Sequence, residues 1–296
     1  MQLLIYILAY PLLWLTSCLP FKILYFISDV VYVIVYRVIG YRRKVVKSNL
    51  KLVFPDKSTL EIKKIEKKFY KHMCDMFLEM IKTMNISAEE MKKRFTFTNV
   101  EALLQLEKKN DIILLFPHYA SWEWVIALNQ YIDSKGYAIY QRITNKYFDR
   151  LVRNIREKFG TTLIETKETK QIIDDNKRNG IRSMYGILSD QSPRLKQAIY
   201  WKEFMGIKVP VHVGSELIAK RTGLSVVYFK VRKTRRGFYQ GTFKILAKNP
   251  EEYPDFEITD LFLEEVENQI KAQPEYYFWT HKRWKHCNKL PEELKS

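Results

Sequence analysis

Cysteine is scarce: Cys18, Cys74 and Cys287 are scattered through 296 residues with no Cys-x-x-Cys pair. An odd, widely spaced set excludes a disulfide framework and a cysteine zinc site, and reads as reduced thiols in a cytosolic setting. The five histidines show no His-Glu-x-x-His or similar ligand spacing, so no metal is expected. No Gly-x-Ser-x-Gly elbow offers a covalent serine nucleophile. No helix-turn-helix, zinc-finger or aromatic–glycine RNA signature is present, which leaves no nucleic-acid partner beyond what charge alone would permit. Internal repeats and low-complexity linkers are also missing. Acidic residues are outnumbered 33 to 50, giving a net charge of +17 and calling for an anionic partner: nucleic acid, an acidic protein or an anionic membrane. With 47% apolar and 14% aromatic residues the chain is long and hydrophobic enough to fold around a sizeable core.

Charge is absent altogether from residues 1–20, and after Lys22 the run 23–36 is again apolar apart from Asp29. Pro11 and Pro20 interrupt the stretch, which leaves one kinked spanning helix or two shorter helices dipping into a bilayer. No basic segment precedes the apolar run, so a secretory signal is not expected. Arg37, Arg42, Arg43, Lys44 and Lys47 follow directly and would face cytoplasmic anionic headgroups. The expected organisation is a membrane-embedded helical segment at 1–40, a helical region at 41–110 and an α/β region at 111–296, the last two forming one domain. Attachment to an inner membrane, with the α/β part on its cytoplasmic face, follows; a buried core helix is the alternative for the first segment.

Ser58 is a good N-cap for a helix over 59–84, whose apolar positions recur at three and four. From residue 111 the pattern alternates between strands (111–116, 137–141, 161–164, 183–188) and helices (122–132, 145–159, 168–179, 211–221, 259–272). Two further strands, 224–231 and 238–247, join through Arg235-Arg236-Gly237 as a hairpin. This alternation predicts an α/β fold with a mostly parallel central sheet flanked by helices.

One stretch carries chemistry. The apolar strand 111–116 is closed by Pro117, and Ser121 is a plausible N-cap of the next helix. His118 then falls in a strand-to-helix turn, where α/β sheets place their ligands. Within one continuous helix, His118 and Glu123 would splay apart; with His118 in the turn and Glu123 in the first helical turn, they can meet. A carboxylate beside an imidazole fixes its tautomer and stabilises the imidazolium, which makes a general base. A capped helix start with a surface glutamate accounts for the same residues equally simply. Lys146, Arg150, Arg153 and Arg156 step along one helix, either as a dock for lipid phosphates or an acidic carrier protein or as a solvated basic face. Asp190-Gln191 at a strand end either orients the site or caps a turn.

These blocks, in order, resemble the bacterial lipid A biosynthesis acyltransferase family, whose fold is akin to that of glycerolipid acyltransferases. Arg42-Arg43 to Asn49-Leu50 and Phe54-Pro55 resemble its first block, and His118 to Glu123 its His-x4-acidic signature. Tyr140-Gln141-Arg142 with Asn145 and Asp149, then Asp190-Gln191, resemble the next two. The dense string Pro274-Glu275-Tyr276-Tyr277-Phe278-Trp279-Thr280-His281-Lys282-Arg283-Trp284-Lys285 is the most specific. Arg142-Ile143 departs from the Arg-Pro of many members, and 192–203 is only loosely similar.

The resemblance implies transfer of a fatty acyl group from an acyl carrier protein thioester to a hydroxyl of a lipid A precursor. His118 would be the base, Glu123 its orienting partner and Arg142 the oxyanion donor. Asn145, Arg153, Arg156, Asp190, Gln191 and Arg283 would contact substrate. No cofactor is implied beyond the acyl-carrier donor. In the terminal string, Trp279 and Trp284 would sit at headgroup depth with Lys282, Arg283 and Lys285 on phosphates, or the string would pack over the sheet; both can hold. The same chemistry on another glycolipid, phospholipid or amino-acid lipid remains open, as does a non-catalytic basic protein binding membrane or anionic polymer.

Overall fold

Ser58 starts the longest helix. Its hydroxyl accepts from the Glu61 N–H, and the Glu61 carboxylate takes the Ser58 N–H at 2.8 Å, a reciprocal cap that begins α4 (Thr59–Lys82). The computed structural model describes residues 2–289 and 291. Before α4 come α1 (Gln2–Cys18), α2 (Phe21–Tyr32), which runs on through a π-helical stretch at Val33–Ile39, and α3 (Arg43–Val53). Pro11 lies inside α1 without ending it, and the break falls at Pro20. Two helices therefore form where the prolines had left one or two possible.

Both present polar groups to the protein and apolar groups outward. Tyr25 donates to Glu79 Oε1 (2.8 Å), Ser28 to Asp75 Oδ1 (2.7 Å), and Asp29 pairs with Arg236 (2.8 Å). On the other side Leu8, Leu12, Phe26 and Val38 are 66–75% exposed. No single helix among the described residues is long and apolar enough to cross a membrane. Phe21–Ile39 and Arg43–Val53 qualify only as a pair, bent by 90°.

After α5 (Ala88–Arg94), β1 (Phe95–Phe97) and α6 (Val100–Glu107), the sheet proper begins with β2 (Ile112–Phe116). It continues with β3 (Lys135–Tyr140), α7 (Lys146–Arg156), β4 (Thr162–Glu165), α8 (Thr169–Arg178) and β5 (Ser183–Leu188). The chain ends in β6 (Trp201–Phe204), β7 (Ile207–Pro210), α9 (Gly214–Thr222), β8 (Ser225–Arg235), β9 (Phe238–Ala247) and α10 (Glu257–Ala272). The seven-stranded order is β1-β9-β8-β2-β5-β3-β4. All neighbours run parallel except the β8–β9 hairpin. Every residue of β2 is buried, as a central strand covered on both faces requires.

Three features depart from the sequence reading. β1 lies in the region read as helical and extends the sheet edge beside β9; three residues are too few to show a period. A separate β6–β7 hairpin lies between the expected strand 183–188 and helix 211–221, where no strand was read. Trp122–Gln130 is a 3₁₀ rather than an α-helix, and Ser121 makes no side-chain cap. All side chains from Trp122 to Leu128 are buried, and Trp124 is pinned through Nε1 to Glu79 O and Thr83 Oγ1. Tertiary anchors therefore set the pitch of that segment.

The terminal string is tied to the first block. The buried Asn49 amide donates to the carbonyls of Trp279 (2.9 Å) and His281 (2.8 Å), and Arg42 donates to that of Thr280 (3.1 Å). Asn49→Ala should lower unfolding free energy by about 1–3 kcal/mol, the cost of leaving buried acceptors unmet, in denaturant titrations. A similarly sized loss from Leu52→Ala, on the exposed side of α3, would show that the hydrogen bonds are not the cause.

Candidate active site

The strand register builds the centre. β2 and β5 are neighbours with Phe116 opposite Leu188, so residues two past each strand end arrive side by side. These are His118 and Asp190. Asp190 Oδ1 lies 2.8 Å from His118 Nδ1 and accepts the His118 backbone N–H at 3.1 Å. A carboxylate only accepts, so Nδ1 carries the hydrogen and the lone pair sits on Nε2. Burial would raise the Asp190 carboxyl pKa, but the His118 imidazole and the N–H donors outweigh it and hold it below the ordinary value. His118 is 18% exposed, enough to meet a substrate. Gln191 Nε2 is 3.3 Å from His118 Nε2, and the rings of Trp122 and Phe278 flank the imidazole.

Glu123 does not take this place. Its buried carboxylate is clamped by Arg156 through Nη2 (2.6 Å) and Nε (2.9 Å), and it also accepts from Trp122 Nε1 (3.2 Å). Burial would lower the pKa of Arg156, but Glu123 more than compensates and raises it. Arg142 is likewise elsewhere. β5 separates its strand from β2, and its side chain, 64% exposed, pairs with Glu165 at 2.7 Å. Asn145 is spent as the α7 N-cap, accepting from the Tyr147 and Phe148 N–H groups, and Arg153 binds the Tyr140 hydroxyl. Of the basic row on α7, Lys146 and Arg150 remain on the surface.

The terminal string wraps the loop rather than standing out as a belt. Ala120 N–H donates to Tyr276 O (2.9 Å) and Phe278 N–H to His118 O (3.1 Å). Trp279, Trp284 and Arg283 are buried, with Lys282 and Lys285 exposed. Arg283 Nη1 donates to Pro210 O at 3.1 Å and the guanidinium lies over the Phe204 ring, while Nε and Nη2 have no hydrogen-bond partner among the described residues. Burial lowers its pKa, opposed by Tyr277 and Asp190.

Trp122–Gln130 roofs an apolar pocket over one face of β2, β5 and β3, with about 690 Å³ of empty space counted out to its mouth. Met184, Gly186 and Leu188 face it from β5, Leu114 and Phe116 from β2, and Gly136 and Ala138 from β3. Ala138 and Gly186 face the hollow, and the Asn129 side chain fills the space over Gly136 at its lower end; Phe116 and Trp122 line its upper end, and Trp122 meets the His118 ring. Among the described residues no cluster of three metal-ligating side chains occurs. Sequence reasoning had no way to find this pocket, since it depends on which strands are neighbours.

Burial, and then Lys285, His118 and Arg283, push the His281 imidazole down to about 4 from an ordinary 6.5, against the pull of Asp190. Between those values the unfolded chain binds a proton that the folded chain refuses, so stability should fall as pH drops from about 6.5 to about 4. Thermal midpoints across that window should show a shallower slope for His281→Gln. His72, His212 and His286, which burial also holds down, add to the slope, as do Asp190 and Asp29 toward its acid end, since both carboxyls are held below their ordinary values.

Two comparisons with known proteins bear on this arrangement. A lipid A biosynthesis lauroyltransferase of Escherichia coli (strain K12) is 24% identical over 279 residues, covering 92% of this chain and 89% of that protein. The family model of bacterial lipid A biosynthesis acyltransferases matches residues 1–286, nearly the whole chain with all the blocks above. This protein is an acyltransferase and belongs to the bacterial lipid A biosynthesis acyltransferase family.

Proposed function

We propose that the protein passes a fatty acyl group from a carrier-protein thioester to a hydroxyl of a lipid A precursor, with His118 as general base oriented by Asp190. The observation that carries this reading is the His118–Asp190 pair at the carboxyl edge of the sheet, in ring contact with Trp122, which lines an apolar pocket. Nε2 takes the acceptor proton as its oxygen attacks the thioester carbonyl. The tetrahedral intermediate collapses, the thiolate leaves, and the imidazolium returns the proton to sulfur. The Gln191 amide, close to Nε2, is placed to donate to the developing oxyanion, a contribution often worth ~3 kcal/mol. Arg142, out in solvent on Glu165, is too committed for that task. The Glu123–Arg156 pair serves the site by fixing the pocket roof to α7.

The acyl chain fits the apolar pocket. From the Phe116–Leu188 level down to Met184 the strands descend four residues, roughly 13 Å, a length suited to a hydrocarbon, with the Asn129 side chain closing the lower end over Gly136. The outward apolar faces of α1 and α2 suit attachment to the cytoplasmic face of the inner membrane. The inner face of α2 is pinned by Tyr25, Ser28 and Asp29, and the end of α1 by Lys82 Nζ on Ser17 O (2.8 Å), so the exposed leucines and Phe26 have lipid as their natural solvent. Tyr6 of α1 stacks on Tyr147 of α7, which brings Lys146 and Arg150 near that surface for lipid phosphates or an acidic carrier protein.

Mass spectrometry of lipid A from a strain lacking the gene tests the reading. Lipid A should be one acyl chain lighter, restored by the wild type and not by His118→Ala at equal abundance. Unchanged lipid A with another acylated lipid missing would move the acceptor; full rescue by His118→Ala would remove the base. In vitro, Asp190→Asn should lower kcat by about 10²–10⁴-fold, the usual worth of a general base, and Glu123→Gln by much less. The reverse ranking would restore Glu123 as the orienting carboxylate.

Gly186→Val points a side chain into the pocket, where even a Cβ stands 3.3 Å from the Phe116 ring. The product should shift to shorter acyl chains, with the native chain transferred roughly 10–200-fold more slowly. An unaltered chain-length profile would mean that the chain lies elsewhere.

A further inference from the structure

Among the described residues, four hydrogen bonds reach the backbone of residues 118–120 from other segments. Three come from groups already described: His118 N–H to Asp190, Phe278 N–H to His118 O, and Ala120 N–H to Tyr276 O. The fourth comes from α4, 48 residues earlier: His72 Nε2 is 3.3 Å from the carbonyl of Ala120. Ala120 has φ +50°, a left-handed conformation that costs an L-residue roughly 1–2 kcal/mol and must be held by its surroundings.

The tautomer of His72 follows from its other neighbour. Lys233 Nζ lies 3.2 Å from His72 Nδ1 and is itself buried, with Asp75 Oδ2 at 3.5 Å. An ammonium only donates, so Nδ1 must offer its lone pair and Nε2 must carry the hydrogen. That hydrogen points at the Ala120 carbonyl. Burial, and then the Lys233 charge, keep the imidazole neutral, so it can play both parts at once. The ring of Tyr276 meets His72 edge-on at 4.8 Å and fixes its plane. An apolar side chain of equal volume would leave the carbonyl buried without this donor and the ammonium with Asp75 as its remaining polar contact.

We propose that His72 is a positioning residue for acyl transfer: its Nε2–H holds the carbonyl of Ala120 and so aims the imidazole of His118, two residues upstream. The proposal rests on the reading of His118 as the base. It takes no contact with substrate, and it would be invisible in any signature centred on His118.

Two substitutions separate the contacts. Gln carries its amide to the place of Nε2 and can still donate to Ala120; Asn ends at the place of Nδ1 and can only face Lys233. The full-length enzyme would be assayed with a lauroyl carrier-protein thioester and the lipid A precursor that accumulates in the deletion strain. His72→Asn should lose on the order of ten- to a hundredfold in kcat at an unchanged KM, as a small misplacement of a reacting group does. His72→Gln should stay within about threefold of wild type. Wild-type kcat in His72→Asn, or equal losses in both, would overturn the proposal. A measurement on the wild type needs no variant to fold: imidazole ¹⁵N shifts of His72 should show hydrogen on Nε2 and none on Nδ1 throughout pH 5–8 (about the range in which an ordinary histidine titrates). Hydrogen on Nδ1 would overturn it as well. Absence of transfer by the wild type itself would count against the donor and acceptor named above, while the nitrogen shifts would still decide the His72 contact.

Discussion

A carboxylate as buried as Asp190, 1% exposed, is tolerable only if its charge is met on the spot. It is met by the backbone N–H and the imidazole of one residue, His118, which in turn is immobilised by being so held. Most other features of the site serve that contact. β2 and β5 must be neighbours for it to form, and their register must place Phe116 opposite Leu188. A slip of one residue would turn every side chain of the strand to the opposite face and destroy pair and pocket together.

Around this contact the distant blocks of the chain converge. The terminal string closes the loop from one side through Tyr276 and Phe278, and is itself fastened to α3 by Asn49. From the other side α4 supplies His72 and, through Asp75 and Glu79, anchors α2. The apolar helices at the start of the chain and the loop that carries His118 thus hang on the same helix. α4 is amphipathic toward a sheet and a polar cluster at once, which explains why so many of its charged and polar positions, His72, Asp75, Glu79 and Lys82, are buried.

Two acidic residues competed for the same imidazole in the sequence, and the outcome shows what spacing can and cannot tell. Glu123 was near in the chain and Asp190 was 72 residues away. Local proximity favoured Glu123, yet the 3₁₀ pitch and the clamp of Arg156 turn its carboxylate to α7. Arg142 failed for a related reason: it reaches the correct edge of the sheet, but one strand too far along, and Glu165 is nearer. Arg283, expected on lipid phosphates or packed with its string over the sheet, is buried against the Phe204 ring with Nη1 on Pro210 O.

By itself the sequence determined the alternation of strands and helices, the hairpin at β8–β9, the reciprocal cap of α4 and the placing of His118 just past a buried strand. These are written in hydrophobic period, proline and capping residues, all of which act over a few positions. It also carried the basic charge, the apolar first segment and the blocks that mark the family. Tertiary structure alone decided the order of the strands, hence the partner of His118, the hollow lined by Gly186, Gly136 and Ala138, and the reach of His72 to Ala120. Those depend on which segments become neighbours across tens to hundreds of residues. The free energy of burying all faces of the sheet sets that choice, and no local pattern records it.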